Sequence, residues 1–252
     1  MPPAHVLDRT TRERVHYFSR QLITAEDMID EQNFFLQKFR RHNRFLHGWG
    51  VVCGYSVVAA ATAQYPWRVK ICDGYVVDPH GNEIDLGEPF FFDLAAHRPT
   101  YDPCAPRGGS HAPVSRGSGD AMSPLFLAVC YDECDTRPVR VHAAGCGCET
   151  SCEYSRVRDS FCFTVLPELP EYHTKAVEAD AAFVDALRAW AKAGRDGPLP
   201  AAPCPVVTAD PCVVLAQVSL PAVGTALDAS AIDNTVRRTL YSTHALELLM
   251  QV

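Results

Sequence analysis

The sequence predicts an α+β chain that is mainly β: an antiparallel sheet or barrel core with a long N-terminal helix, an inserted helix and long proline- and glycine-rich loops. Three observations predict it. One N-terminal segment repeats its apolar residues at helical spacing and carries start and stop signals at its ends. Several short runs alternate apolar and polar residues, with turn formers between them. Those runs do not alternate regularly with helices, so a parallel βαβ sheet is not expected.

The helix comes first. Thr24 precedes Ala25-Glu26-Asp27, so its hydroxyl can accept from a first-turn amide, and the two acids suit the positive end of the helix dipole. Met28, Phe35, Leu36, Phe39 and Leu46 form an apolar stripe that is expected to face the core. Arg40, Arg41, His42 and Arg44 crowd the last turns, and Gly48 can take the left-handed conformation that ends a helix. The basic cluster has two readings, dipole compensation on a solvated face or contact with an anionic partner. Arg40, Arg41 and Arg44 are therefore the candidate interaction residues.

Beyond Gly50 the period changes to two. Val51, Cys53, Tyr55 and Val57 alternate with Val52, Gly54, Ser56 and Val58, and Trp67-Arg68-Val69-Lys70-Ile71-Cys72 alternates again. Gly74-Tyr75-Val76-Val77 and Glu83-Ile84-Asp85-Leu86 flank Pro79-His80-Gly81-Asn82, the pattern of a β-hairpin. Asp73, Asp78, Glu83 and Asp85 lack EF-hand spacing and read as turn and strand-edge carboxylates. Phe90-Phe91-Phe92 reads as core, with any exposed part a contact carrier.

Residues 99–124 are rich in proline, glycine and serine and read as a loop or linker. They divide a helix-plus-hairpin region, 1–98, from a β-rich region, 125–252, and the two can form one continuous domain. Strands are expected over 125–131, 138–142, 161–166 and 213–220, with Ile232-Asp233-Asn234 after them. Residues 178–193 carry Phe183, Leu187 and Trp190 on one helical stripe, with Gly194 as the stop. A short helix around Ala245-Leu246-Glu247-Leu248-Leu249 closes the chain.

Eleven cysteines are the main chemical question. Cys53, Cys72, Cys130 and Cys162 lie in strand contexts and read as small apolar core residues, while Cys104 and Cys212 stand alone. Cys134, Cys146, Cys148 and Cys152, with Cys204 from a distance, are candidate ligands of a structural zinc ion, because tetrahedral zinc gathers several thiolates across tight turns. One or two disulfides, or free thiols, are the alternatives. No histidine is tied to these cysteines in a catalytic pattern, so a catalytic thiol is not expected.

Two blocks carry a family resemblance. The first is Tyr17-Phe18-Ser19-Arg20-Gln21-Leu22-Ile23-Thr24-Ala25-Glu26-Asp27, then Glu31-Gln32, then the run from Arg41 through His47-Gly48-Trp49-Gly50 to Gly54, then Gly74 to Ile84. The second is Cys152-Glu153-Tyr154-Ser155-Arg156-Val157-Arg158-Asp159-Ser160. They resemble a family of structural proteins encoded beside baseplate genes in contractile injection systems and phage-tail-like clusters. The resemblance implies a non-enzymatic, baseplate-associated component that contacts baseplate, spike or fibre subunits.

Composition is compatible with that expectation. The chain has 252 residues, 47% hydrophobic and 21% charged, enough to bury a sizeable core. A net charge of -7 argues against a dedicated nucleic-acid binder. The N-terminus lacks a signal-peptide apolar core, and no stretch approaches the roughly 20 apolar residues of a membrane span. Cytoplasmic synthesis is expected, followed by assembly into a particle that can be released. No Gly-x-Ser-x-Gly elbow, phosphate-binding glycine loop or His-Glu-x-x-His is present, so the chain is not expected to be an enzyme. The runner-up is a fibre-attachment or carbohydrate-binding adaptor using Tyr65 and Trp67. A zinc-dependent cell-wall hydrolase is third and requires an open metal position.

Overall fold

A computed structural model of the chain describes residues 13–95, 124–142, 150–205, 208–209, 211–222 and 225–249. The elements run α1 (Ala25–His42), a π turn (Asn43–His47), β1 (Gly50–Gly54), β2 (Val57–Ala59), β3 (Arg68–Ile71), β4 (Gly74–Val77), β5 (Glu83–Leu86) and β6 (Phe90–Asp93). After them come β7 (Leu125–His142), β8 (Thr150–Leu166), α2 (Glu171–Lys192), β9 (Val213–Val218), a 3-10 turn (Ala229–Ala231), β10 (Ile232–Asp233) and α3 (Thr243–Leu249). The strands form three antiparallel sheets, ordered β1-β4-β5, β2-β3-β6 and β10-β9-β7-β8. The mainly β architecture is as expected, and it takes the form of sheets; no barrel closes among the described residues.

The inner faces of the three sheets share one core. Val51, Tyr55, Val69, Ile71, Val76 and Ile84 from the first half of the chain pack in one cluster with Leu127, Val129, Phe163, Val213 and Leu215 from the second. The expected β4–β5 hairpin is present, in register Val77 against Glu83. Buried Asp78 fixes its turn: one carboxylate oxygen accepts from the His80 and Asn82 amides, the other from the Asn82 side chain, each at 2.8 Å. Its carboxyl titrates above the ordinary value because burial outweighs those hydrogen bonds.

Several elements depart from the expected ones. The 51–58 run is two strands, broken where Tyr55 adopts φ 51°. A bulge between Val51 and Cys53 shifts the register, and Cys53 is exposed, not core. An extra residue in one strand reverses the facing of everything beyond it. α2 begins seven residues before the expected start, with Pro170 at its N-cap, a position that tolerates a missing amide hydrogen.

The largest departure is β7 with β8. They pair in one register from Phe126 against Leu166 to His142 against Thr150, interrupted at Arg137, which adopts φ 57°. β9 covers only Leu125 to Val129 of this pair, so the rest is a two-stranded ribbon extending past the sheet. Cys130, at its root, is not a free core thiol: it is disulfide-bonded to Cys212, one position before β9. Cys162 lies opposite Cys130 on the other side, so three cysteines stand level on adjacent chain segments.

Candidate functional site

The site is the junction where α1 meets the sheets, together with the face α1 presents. The start of α1 is as expected: the Thr24 hydroxyl accepts from the Asp27 amide at 3.2 Å, and Asp27 accepts from the Thr24 amide at 2.8 Å. Hydrogen bonds from the Thr24 amide and hydroxyl, both 2.8 Å from its Oδ2, hold the Asp27 carboxyl below its usual range. The apolar stripe, however, does not face the core. No residue of α1 is buried, and Met28, Ile29, Phe35, Leu36 and Phe39 are all exposed, Phe39 at 67%. Leu46 in the π turn is 70% exposed. The N-terminal segment around Glu13 to His16 shares a cavity with Asp27, Asp30, Phe34 and Gln37, a different face of α1 from the stripe.

The C-terminal end of α1 is fastened at three places. Arg40 pairs with Glu133 of β7 at 2.8 Å and lies 5.5 Å from the centre of the Tyr131 ring. Tyr131 in turn donates to Asp159 at 2.7 Å, and burial, then the neighbouring Asp159 and Glu133, raise its phenol pKa. The Asn43 side chain donates to Gly81 O at 3.1 Å and to Glu83 at 2.9 Å, tying the π turn to the β4–β5 turn. Gly81 sits so close that a Cβ there would lie 2.0 Å from Arg40 O.

The third fastening is Trp49. It is buried between Tyr172 and His173 of α2, with ring centres 5.8 and 5.7 Å away, and Arg238 stacks on its indole at 4.8 Å. Arg238 also reaches the Trp49 carbonyl and pairs with Asp180 of α2 at 2.8 Å. Gly50, at φ 139°, lets the backbone pass against Arg238 O, where a Cβ would sit at 2.6 Å. Val51 N then donates to Arg238 O at 2.9 Å and Leu240 N to Val51 O at 2.8 Å. His173 is fully enclosed; its Nε2 donates to Val236 O at 2.9 Å, and burial lowers its pKa. A cavity of about 260 Å³ opens beside this cluster, lined by Arg44, Leu46, Tyr172, Phe183, Cys204 and Arg238 among others.

The three candidate arginines are thus differently placed. Arg40 is engaged inside the chain by Glu133 and Tyr131. Arg41 and Arg44 both lie against the half-exposed Phe45 ring, at 5.8 and 4.7 Å. Of the aromatic run, Phe92 is core, Phe91 is 52% exposed under the Arg68 guanidinium, and Phe90 packs on Phe163. Trp67 is buried and donates to Thr225 O, leaving Tyr65 alone at the surface, so the two do not form an aromatic platform.

Of the five candidate metal cysteines, the three that are described, Cys134, Cys152 and Cys204, are not brought together. Cys134 is disulfide-bonded. Cys152 is opposite Arg140, six positions along β8 from the partner of Cys134, Arg158, or roughly 20 Å at about 3.3 Å per residue. Cys204 is exposed beside the Trp49 cluster, and Cys146 and Cys148 lie outside the described residues. Among the described residues no group of three or more His, Cys, Asp or Glu is placed to hold a metal ion. The zinc expectation gains no support among the described residues: the β7–β8 ribbon separates two of its candidate ligands, Cys134 and Cys152.

Sequence reasoning missed Arg238, Asp180 and Glu133, whose partners lie 58 to 189 residues away and leave no local signal. No helix of the described residues is long and apolar enough to cross a membrane. No family model matches the chain, and no curated protein matches it. Among solved structures, the crystal structure of TssK is similar at a TM-score of 0.30 and 13% identity, over 64% of this chain and 36% of that one. The chain therefore spans about a third of the TssK chain.

Proposed function

We propose that this chain is a non-enzymatic structural subunit of a contractile injection system or phage-tail-like particle, at or near its baseplate, acting through subunit contacts. The observation that carries the reading is α1. An 18-residue helix with an apolar stripe and no buried residue is marginal in water by itself. Yet its base is held by an ion pair, an amide clamp and a buried tryptophan. A helix fixed at one end and apolar along its length suits a docking element.

The particle itself rests on the sequence resemblance at 17–27, at the Arg41 to Gly54 junction and at 152–160. The likeness to TssK, at that TM-score, carries no argument. The subunit would be made in the cytoplasm and assembled into a particle that can be released. Neither runner-up gains an observation: Trp67 is core, and Cys134 and Cys152 stand apart along the ribbon.

The test is incorporation. Particles purified from cells expressing the wild-type chain should contain it by quantitative mass spectrometry, and an Ile29→Asp/Phe39→Asp chain of equal solubility should be depleted at least tenfold. Absence of the wild-type chain from particles, or equal incorporation of the variant, contradicts the reading.

A further inference from the structure

We infer that His42 and His47 form a two-imidazole clip for a divalent transition-metal ion, zinc in the first instance. His42 is the last residue of α1 and His47 the last of the π turn, and both side chains are exposed. Residues five apart in an α-helix stand about 140° apart around the axis and do not meet. The wider turn here, closed by Gly48 N donating to Asn43 O at 3.0 Å, brings the two rings onto one side. Single π turns inside α-helices recur at functional sites.

The spacing of the rings is that of a chelate. The two Nε2 atoms are 3.4 Å apart and the ring centres 5.2 Å apart. Tetrahedral zinc with bonds of about 2.05 Å places two imidazole nitrogens about 3.35 Å apart and their ring centres about 5.2 Å apart. A straight N–H···N hydrogen bond at the same nitrogen spacing would hold the ring centres about 5.7 Å apart. The rings are thus inclined as two lone pairs aimed at one ion are.

The clip is held from both sides. Asn43, next to His42, is clamped to Gly81 and Glu83, and Trp49, two residues after His47, is buried against α2. The rings therefore project from a fastened turn, which reduces the ordering that a ligand must impose. The negative end of the α1 dipole favours a cation here. The neighbouring guanidinium groups of Arg41 and Arg44, which would oppose one, lie against the Phe45 ring. Imidazole nitrogen suits zinc, copper and nickel and not magnesium or calcium. The remaining coordination positions fall to water, and the clip requires neither a second copy nor a particle.

The experiment titrates zinc chloride at pH 7.5 into the purified, chelator-stripped full-length chain and follows the imidazole nitrogens by NMR. The Nε2 resonances of His42 and His47 should shift together, half-complete at micromolar free zinc. In His42→Ala or His47→Ala the remaining ring should need at least about tenfold more zinc, because the second nitrogen no longer acts within the same site. His244→Ala should leave the titration of the pair within about twofold, and unchanged amide spectra show that each variant is folded. Zinc taken up with both imidazoles unshifted, rings that titrate independently, or half-completion only at millimolar zinc overturns the inference.

Discussion

Arg238 lies 4.8 Å from the centre of the Trp49 indole while its guanidinium pairs with Asp180 on α2. One side chain thereby joins the α1–β1 junction to a helix more than a hundred residues away. Its own side chain is only 16% exposed, so both contacts are partly shielded from water. Arg238→Ala is expected to lower unfolding stability by about 2 kcal/mol through the lost stacking and ion pair. Arg238→Lys should recover less than half of that, because an ammonium cannot stack flat and form the fork at once. Urea unfolding followed by tryptophan fluorescence measures both, and a wild-type midpoint in either variant contradicts the role.

The turn of the β4–β5 hairpin is the seat on which α1 ends. Gly81 combines φ 89° with the Arg40 carbonyl at the place its Cβ would occupy. Gly81→Ala should therefore cost at least about 2 kcal/mol, combining left-handed strain with a backbone collision. Gly87→Ala, where nothing lies within 4 Å, should stay within about 0.5 kcal/mol. Equal midpoints for the two variants in denaturant would show that the seat is not tight.

How far the sequence announces these features depends on range. The Thr24 cap, the Gly48 stop and the Pro79–Asn82 turn are local chemistry, and each is where the residues place it. The stripe of α1 was legible as a stripe but not as a surface, since periodicity states that apolar residues share a face and not what covers it. Cys53 was read with the wrong facing because a bulge is invisible to an alternating pattern. Of the ribbon past Tyr131 only 138–142 was legible as strand, because the charged residues Glu133, Asp135, Arg156 and Arg158 dilute the apolar alternation where most side chains face water. The fastening of α1 by Glu133 needed that ribbon to be known first.

The Cys130–Cys212 disulfide needed the β7–β9 register in the same way. It closes a loop of 82 residues, for which loop-closure entropy alone amounts to about 4.5 kcal/mol. Cys130→Ala/Cys212→Ala is expected to lose about 2–4 kcal/mol, and reductant should shift the unfolding midpoint of the wild type but much less that of the variant. Peptide mapping without reduction should recover the Cys130–Cys212 pair. Free alkylation of both residues in the folded, unreduced protein contradicts it.

His173 supplies a pH dependence of defined sign. Burial holds its pKa below the ordinary 6.5, so the folded chain stays unprotonated while the unfolded chain binds a proton. Stability should then be fully present above about pH 7 and fall as pH drops through 6.5, by at most about 1.4 kcal/mol per pH unit for one proton. Burial raises the Asp78 carboxyl, and a raised carboxyl acts with the opposite sign, so the comparison with a His173 variant isolates the His173 share. Urea midpoints between pH 7.5 and 5.5 measure the slope, and His173→Gln should flatten it. An unchanged slope in that variant assigns the dependence elsewhere.

The central claim is that the stripe of α1 is an assembly contact and not an ornament of a self-sufficient helix. Hydrogen exchange tests it most directly, comparing the wild-type chain in its assembled particle with the Ile29→Asp/Phe39→Asp chain. The account predicts that amides of residues 28–39 exchange slowly in the particle and at least tenfold faster in the variant, while β7 and β9 keep their protection in both. Equal protection of α1 in the two samples would mean that the helix holds itself, and would contradict the account.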